Sequence, residues 1–170
     1  MSVTALNSTP DTTLRLFQHS NPAAALGLAV SHLMGKPAFA RLPFGSWSRV
    51  LVGQINRKHY QFVLDHAGRT VGFLGWAITD EATAEAWLAG SDTPTSHANG
   101  DCITINVWSA ETAAANHLLL TASRQAGAGY RLIYFKRHYP DGSTRMGKLV
   151  TRDVMRGKLP ALRSVAQVIR

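Results

Sequence analysis

The 170-residue chain carries eighteen Lys and Arg against ten Asp and Glu, a formal charge of +8, with 45% apolar and 16% charged residues. A chain of this length is expected to be one domain that buries roughly 70% of its unfolded surface, so neither disulfides nor a metal clip is needed to hold it. The single cysteine, Cys102, excludes an intramolecular disulfide and a Cys-based zinc cage, so no oxidising compartment is required and a cytoplasmic location is expected.

Residues 1–20 read as a polar leader. Met1–Gln18 has no basic region followed by a continuous apolar stretch, and no apolar run in the chain approaches about 18 residues, so neither a secretion signal nor a membrane span is expected. Ser20-Asn21-Pro22 then supplies a capping side chain before a proline, which starts a helix. Leu26, Val30, Leu33 and Met34 recur at helical spacing until Gly35 and Pro37 end the pattern. Two prolines and Gly45 make Lys36–Trp47 an ordered loop, anchored by Phe39, Phe44 and Trp47.

Three strands are expected next, over Arg49–Ile55, His59–His66 and Arg69–Ile78, and their short connections predict an antiparallel meander. Gly72 and Gly75 strip side chains from the third, the mark of a bulge or of close approach by another group. Thr79-Asp80-Glu81 supplies a hydroxyl N-cap and early carboxylates for a helix to about Leu88, and Gly90–Gly100 is a polar loop. From Asp101, Ile103, Ile105 and Val107 alternate with Thr104, Asn106 and Trp108, which predicts a strand with one buried face. Ser109 is expected to cap a helix through Ser123.

Gly127 and Gly129 break the chain before a strand over Tyr130–His138. Tyr139-Pro140-Asp141-Gly142 is a turn signal, and Thr144–Val150 completes a hairpin. Thr151–Arg170 reads as a basic tail, a short helix or a poorly ordered segment. The order α, β, β, β, α, β, α, β, β predicts an α+β fold: a mixed, mostly antiparallel sheet with flanking helices over residues 21–150. The same order occurs in GNAT-like folds, where a splayed pair of central strands admits an acyl thioester; this is a fold-level analogy.

The charge is one-sided. Residues 1–123 hold seven basic and eight acidic side chains, net −1, whereas residues 124–170 hold eleven and two, net +9. Such a field favours an acidic partner: nucleic acid, an anionic lipid surface or an acidic protein. A solvated basic tail is the plain alternative. Arg131 and Lys136-Arg137-His138 lie among Tyr130, Tyr134, Phe135 and Tyr139, as a nucleic-acid stacking platform would require. Strand alternation weakens that reading, since it divides the aromatics between two faces.

No phosphate loop, dinucleotide fingerprint or helical zinc motif is present. The seven histidines, His19, His32, His59, His66, His97, His117 and His138, are scattered over separate elements, so no metal site is expected.

Leu26-Gly27, Leu33 and Pro37, the Gly75-Trp76-Ala77 strand end before an acidic helix, the strand Ile105–Trp108 and the late basic hairpin resemble the toxin-activating lysine acyltransferases of the hemolysin-activator type, over about residues 24–150. The resemblance implies a GNAT-like fold and a cytoplasmic enzyme with no tightly bound cofactor. It implies transfer of a fatty acyl group from acyl-acyl carrier protein to lysine ε-amines of an RTX-type protein target. It also implies a catalytic histidine and aspartate, and by spacing these positions hold Phe39 and Asn106. Phenylalanine takes no proton and asparagine carries no charge, and loss of a general base typically forfeits ~10²–10⁴ in rate.

His32 is the nearest replacement base, and Asn106 is expected to orient the reacting groups. Phe39, Gly75, Trp76 and Trp108 are the candidate acyl-donor pocket, with backbone donors near Gly75 and Trp76 polarising the thioester carbonyl. Lys136, Arg137, Arg145 and Lys148 are the candidate docking surface for the acidic carrier protein. Exposed strand edges would permit a homodimer. Two further readings follow from the same residues: a catalytically impaired module that binds the acyl group or its carrier, and a nucleic-acid-binding protein.

Overall fold

The structure is a computed structural model that describes residues 13–90, 94–138, 144–151 and 164–165. A short strand, β1 (Arg15–Phe17), precedes helices α1 (Pro22–Leu33), α2 (Pro37–Ala40) and α3 (Phe44–Asn56). Strands β2 (Tyr60–Leu64) and β3 (Thr70–Thr79), helix α4 (Glu81–Leu88), strand β4 (Cys102–Ala110) and helix α5 (Ala113–Gly127) follow. Strands β5 (Leu132–His138), β6 (Thr144–Val150) and β7 (Ser164–Val165) complete the described elements.

These strands form one seven-stranded sheet in chain order. Every pairing is antiparallel except β4 with β5, which is parallel and is joined by α5 as the crossover such a pair needs. The expected α+β class, with a mixed and mostly antiparallel sheet, is observed.

Local signals explain the well-anticipated elements. Asn21 Oδ1 accepts hydrogen bonds from the backbone of Ala23 and Ala24, with Pro22 preset for the first turn of α1. Helix α4 starts where expected, but Asp80 rather than the Thr79 hydroxyl caps it, accepting from the Thr83 N–H at 2.7 Å, while Thr79 ends β3 and bonds Thr104. Other elements differ from expectation. The stretch read as a strand over Arg49–Ile55 is the second half of α3, because Trp47, Val50, Leu51, Gln54 and Ile55 repeat at helical spacing and turn one face inward. The expected loop Lys36–Trp47 therefore holds α2 and the start of α3.

Ser109 caps no helix; it lies within β4 opposite Phe73, and Thr112 Oγ1 caps α5 by accepting from Ala115 N at 3.1 Å. Strand β1 lies within the stretch read as a leader, and β7 pairs with β6 from within the basic tail. The Tyr139-Pro140-Asp141-Gly142 turn and most of the tail are outside the described residues.

The helices divide between the two faces of the sheet. Against one face, α1 and α3 bury Ala25, Ala29, Leu33, Leu51 and Ile55 on Tyr60, Phe62 and Phe73. On the opposite face, α5 lays Ala115, Leu119 and Ala122 on Val63, Leu74, Ile103 and Ile105. Helix α4 makes a third cluster, packing Ala84 and Trp87 on Cys102, Leu132 and Tyr134. Strand alternation puts Cys102 and Tyr134 on the face away from α5, so α4 shares a face with α1 and α3.

Candidate functional site

The centre of the sheet opens where β4 and β5 part. Their pairing runs from Cys102↔Leu132 to Ile105↔Phe135 and ends there, although β4 continues through Asn106–Ala110 and β5 through Lys136–His138. At the same level β4 carries a bulge. Gly75 pairs with Val107 and Trp76 with Ile105, so Asn106 is the extra residue. A bulge bends its strand and re-aims a side chain, which accounts for the parting of β4 from its parallel neighbour.

Asn106 turns toward α3, where its Oδ1 accepts from Gln54 Nε2 at 2.6 Å. Gln54 is 1% exposed, and its Oε1 has no hydrogen-bond partner among the described residues. Gly75 makes room for it, since a Cβ there would lie 2.3 Å from Gln54 Oε1. The close approach expected at Gly75 is thus made by a side chain of α3.

Farther along β4, on the same face, His32 Nε2 lies 3.0 Å from Ser109 Oγ. Its Nδ1 is 3.9 Å from Glu111, whose carboxylate is paired with Lys36 at 2.8 Å. Burial holds His32 below the ordinary imidazole value and Lys36 adds to this, against the opposing pull of Glu111 and of a hydrogen bond to the Thr70 backbone. The lowered value favours the neutral imidazole. It is hydrogen-bonded to Ser109, while Asn106 is bonded to Gln54, so the two expected catalytic residues belong to separate hydrogen-bonded groups on one strand face.

The expected donor-pocket residues do not share a face. Gly75 lies under Gln54 and Phe39 packs half-buried against the α1–α3 core. Trp76 and Trp108 turn to the α5 side, where Trp76 stacks on His59 and Trp108 Nε1 donates to Asn116 Oδ1 at 3.0 Å. The Trp76 N–H donates to the His59 carbonyl at 3.0 Å, so it is already paired and not free to polarise a carbonyl.

Two cations at the basic hairpin pair with carboxylates. Arg131 reaches Glu81 at 2.6 Å and Asp101 at 2.7 Å; Lys148 reaches Glu81 at 2.6 Å and Glu85 at 2.8 Å. Tyr134, fully buried, donates its hydroxyl to Glu85 at 2.9 Å, and its ring lies under the Lys148 ammonium. Lys136 is half-buried: its Nζ donates to the Trp87 carbonyl and sits 4.5 Å from the centre of the Trp87 ring. Arg137 and Arg145 are exposed and opposite one another. Part of the charge, that of Arg131 and Lys148, is therefore met by Glu81, Glu85 and Asp101, and burial of Tyr134 removes it from any stacking platform.

No family model and no curated protein matches the chain. Among solved structures, it is similar to GphF, a GNAT-like decarboxylase in complex with isobutyryl-CoA, at 19% identity and a TM-score of 0.52, covering 84% of this chain and 71% of that one. It is also similar to the loading GNATL domain of CurA from Lyngbya majuscula, at 13% identity and a TM-score of 0.51, covering 76% and 68%.

The fold is GNAT-like. Within this GNAT-like sheet, Asn106 and His32, the expected catalytic residues, are each bonded to a residue that sequence reasoning leaves out of the site, Gln54 and Ser109. Gln54 was hidden by the strand reading of α3; its signal is a lone carboxamide at a core position of a helical repeat. Ser109 was taken for a cap. Among the described residues, no helix is long and apolar enough to cross a membrane, and no group of three or more His, Cys, Asp or Glu could hold a metal ion.

Proposed function

We propose that the chain binds an acyl thioester in the opening between β4 and β5 and transfers the acyl group to a lysine ε-amine. The observation that carries this reading is the coincidence of the Asn106 bulge with the end of β4–β5 pairing. It leaves two strand edges parted in the middle of a sheet, where the amide groups of a pantetheine arm can satisfy the backbone. GphF, on a similar fold, was captured with isobutyryl-CoA, which supports an acyl-thioester ligand for this chain as well.

Asn106 and Gln54 orient the reacting groups through their carboxamides, and neutral His32, through Ser109, receives the proton that the attacking ammonium must lose. In this reading the donor is acyl-acyl carrier protein, approached along the exposed Arg137 and Arg145 with the rim of Lys148. The acceptor is a lysine of an RTX-type protein, as the resemblance to the toxin-activating acyltransferases implies, and the reaction is cytoplasmic.

The test combines purified protein, carrier protein charged with a labelled fatty acid, and a lysine-bearing RTX-type target. Transfer of label to a target lysine supports the reading, and a donor complex that never transfers refutes it. One observation favours a second reading, a binding module: the groups that meet at the bulge, Gln54 and Asn106, are both carboxamides and neither takes a proton. That module predicts a stable donor complex with no turnover.

A further inference from the structure

Lys136 occupies a position unlike that of Lys148 and Arg131. Ile105↔Phe135 is the last paired position of β4 and β5, so Asn106 and Lys136 are the first residues beyond it on the two strands that part there. Alternation from Tyr134, which is buried under α4, puts Lys136 on the same face of the sheet as Tyr134. Asn106 is on that face too, since its neighbour Ile105 turns to α5.

The immediate surroundings of the amine are neutral. Lys148 and Arg131 each take two carboxylates, whereas the Lys136 Nζ meets the Trp87 carbonyl and the face of the Trp87 ring. The carbonyl as acceptor and the indole face both favour the ammonium, and they hold the four-carbon stem along the indole. Half-burial lowers its pKa, which increases the share of neutral, nucleophilic amine.

We propose that Lys136 is a self-acylation site, whose ε-amine takes the acyl group from a thioester bound between β4 and β5. The proposal rests on the reading above that a thioester binds there. In the step, the neutral nitrogen attacks the thioester carbonyl, a C–N bond forms and the C–S bond breaks. The thiolate leaves with the proton lost by the nitrogen, so N-acyl-lysine and free thiol are the products. An amide does not pass its acyl group on. A chain modified in this way keeps the acyl group at the mouth of its own site, and transfer by that chain ends.

The experiment uses the full chain without any protein target, incubated with octanoyl-acyl carrier protein and, separately, with the octanoyl thioester of N-acetylcysteamine. Binding of the charged carrier is followed in parallel by gel filtration. Intact mass and peptide mapping read the adduct, with Lys36, Lys58 and Lys148 as internal comparators. The expected result is a single octanoyl adduct at Lys136 and its loss in Lys136→Arg, which keeps the charge and the stem. Lys136→Met provides a second variant if the arginine disturbs the contact with Trp87. A carrier complex with no adduct, or an adduct spread evenly over the comparators, overturns self-acylation and leaves the thioester-binding reading standing. Failure of the carrier to bind, together with no adduct from either donor, overturns both.

Discussion

Replacing Gly75 with alanine tests whether the close packing at the bulge is what holds Gln54 on Asn106. The new Cβ would lie 2.3 Å from Gln54 Oε1 and 2.6 Å from both its carboxamide carbon and Nε2, so the carboxamide must move. Gln54 is 1% exposed, so the carboxamide must move within the protein interior rather than out to solvent. Its displacement breaks the 2.6 Å hydrogen bond to Asn106. Overpacking of this kind costs about 1–3 kcal/mol, and the lost hydrogen bond adds about 1 kcal/mol. Alanine recovers about 0.5–1 kcal/mol of backbone entropy relative to glycine in a strand. The net expectation is a loss of about 1–3 kcal/mol, read as a lower urea midpoint at unchanged slope.

The decisive comparison places the same substitution in a Gln54→Ala background. There the methyl group enters space the carboxamide has left, and Gly75→Ala becomes neutral or stabilising by up to about 1 kcal/mol. If Gly75→Ala costs the same in both backgrounds to within about 0.5 kcal/mol, the two residues are not coupled and the packing account of the site fails.

Acidification should weaken the fold in a window set by His32 and His59, both held below the ordinary imidazole value chiefly by burial. The unfolded chain takes up those protons near its ordinary value of about 6.5 while the folded chain resists, so stability is full above that pH and falls as the pH drops below it. Urea titrations at about pH 7.5 and about pH 5.5 should show this fall, and His32→Gln should flatten it; an unchanged slope in the variant would remove His32 from the account. Cys102 is fully buried, and burial together with Asp101 pushes its thiol up to about 12. A thiol reagent should therefore label the native protein only as fast as it opens and label it fully in denaturant; rapid native labelling would contradict the burial. Lys58, at φ 58°, stands in the left-handed region between α3 and β2, so Lys58→Gly should raise stability by about 0.5–1 kcal/mol in thermal melts.

What was legible in the sequence is what short-range chemistry decides. The Asn21 cap with Pro22, the acidic start of α4 and the strands β2 and β3 each depend on residues a few positions apart. Helix α3 was misread because Val50-Leu51-Val52 has the β-branched composition of a strand, while the spacing of Trp47, Leu51, Gln54 and Ile55, which decides its structure, is that of a helix. Ser109 and Thr112 are both hydroxyl residues ahead of an alanine-rich helix, and pairing of Ser109 with Phe73 settles which one caps it. Strand β1 has no local signal and exists as an edge because Leu16 and Phe17 meet Val63 and Phe62.

The site itself depends on contacts that composition does not encode. Asn106 reads as one more polar residue in an alternating strand until the mismatch of Gly75 and Trp76 against Val107 and Ile105 makes it the bulge. The charge behaves likewise. A net +9 over residues 124–170 pointed to an acidic partner, yet Lys148 and Arg131 find theirs within the chain, on Glu81, Glu85 and Asp101. Those ion pairs fasten α4 to the hairpin and so fix Trp87, the residue on which Lys136 rests. Part of the basic segment thereby contributes to the geometry of the opening, while Arg137 and Arg145 are the exposed residues along which the proposed carrier protein would dock. A Glu85→Gln variant separates the two contributions, because it loosens α4 while leaving both arginines untouched: weaker self-acylation with unchanged carrier binding assigns the ion pairs to the opening, and the reverse result assigns them to docking.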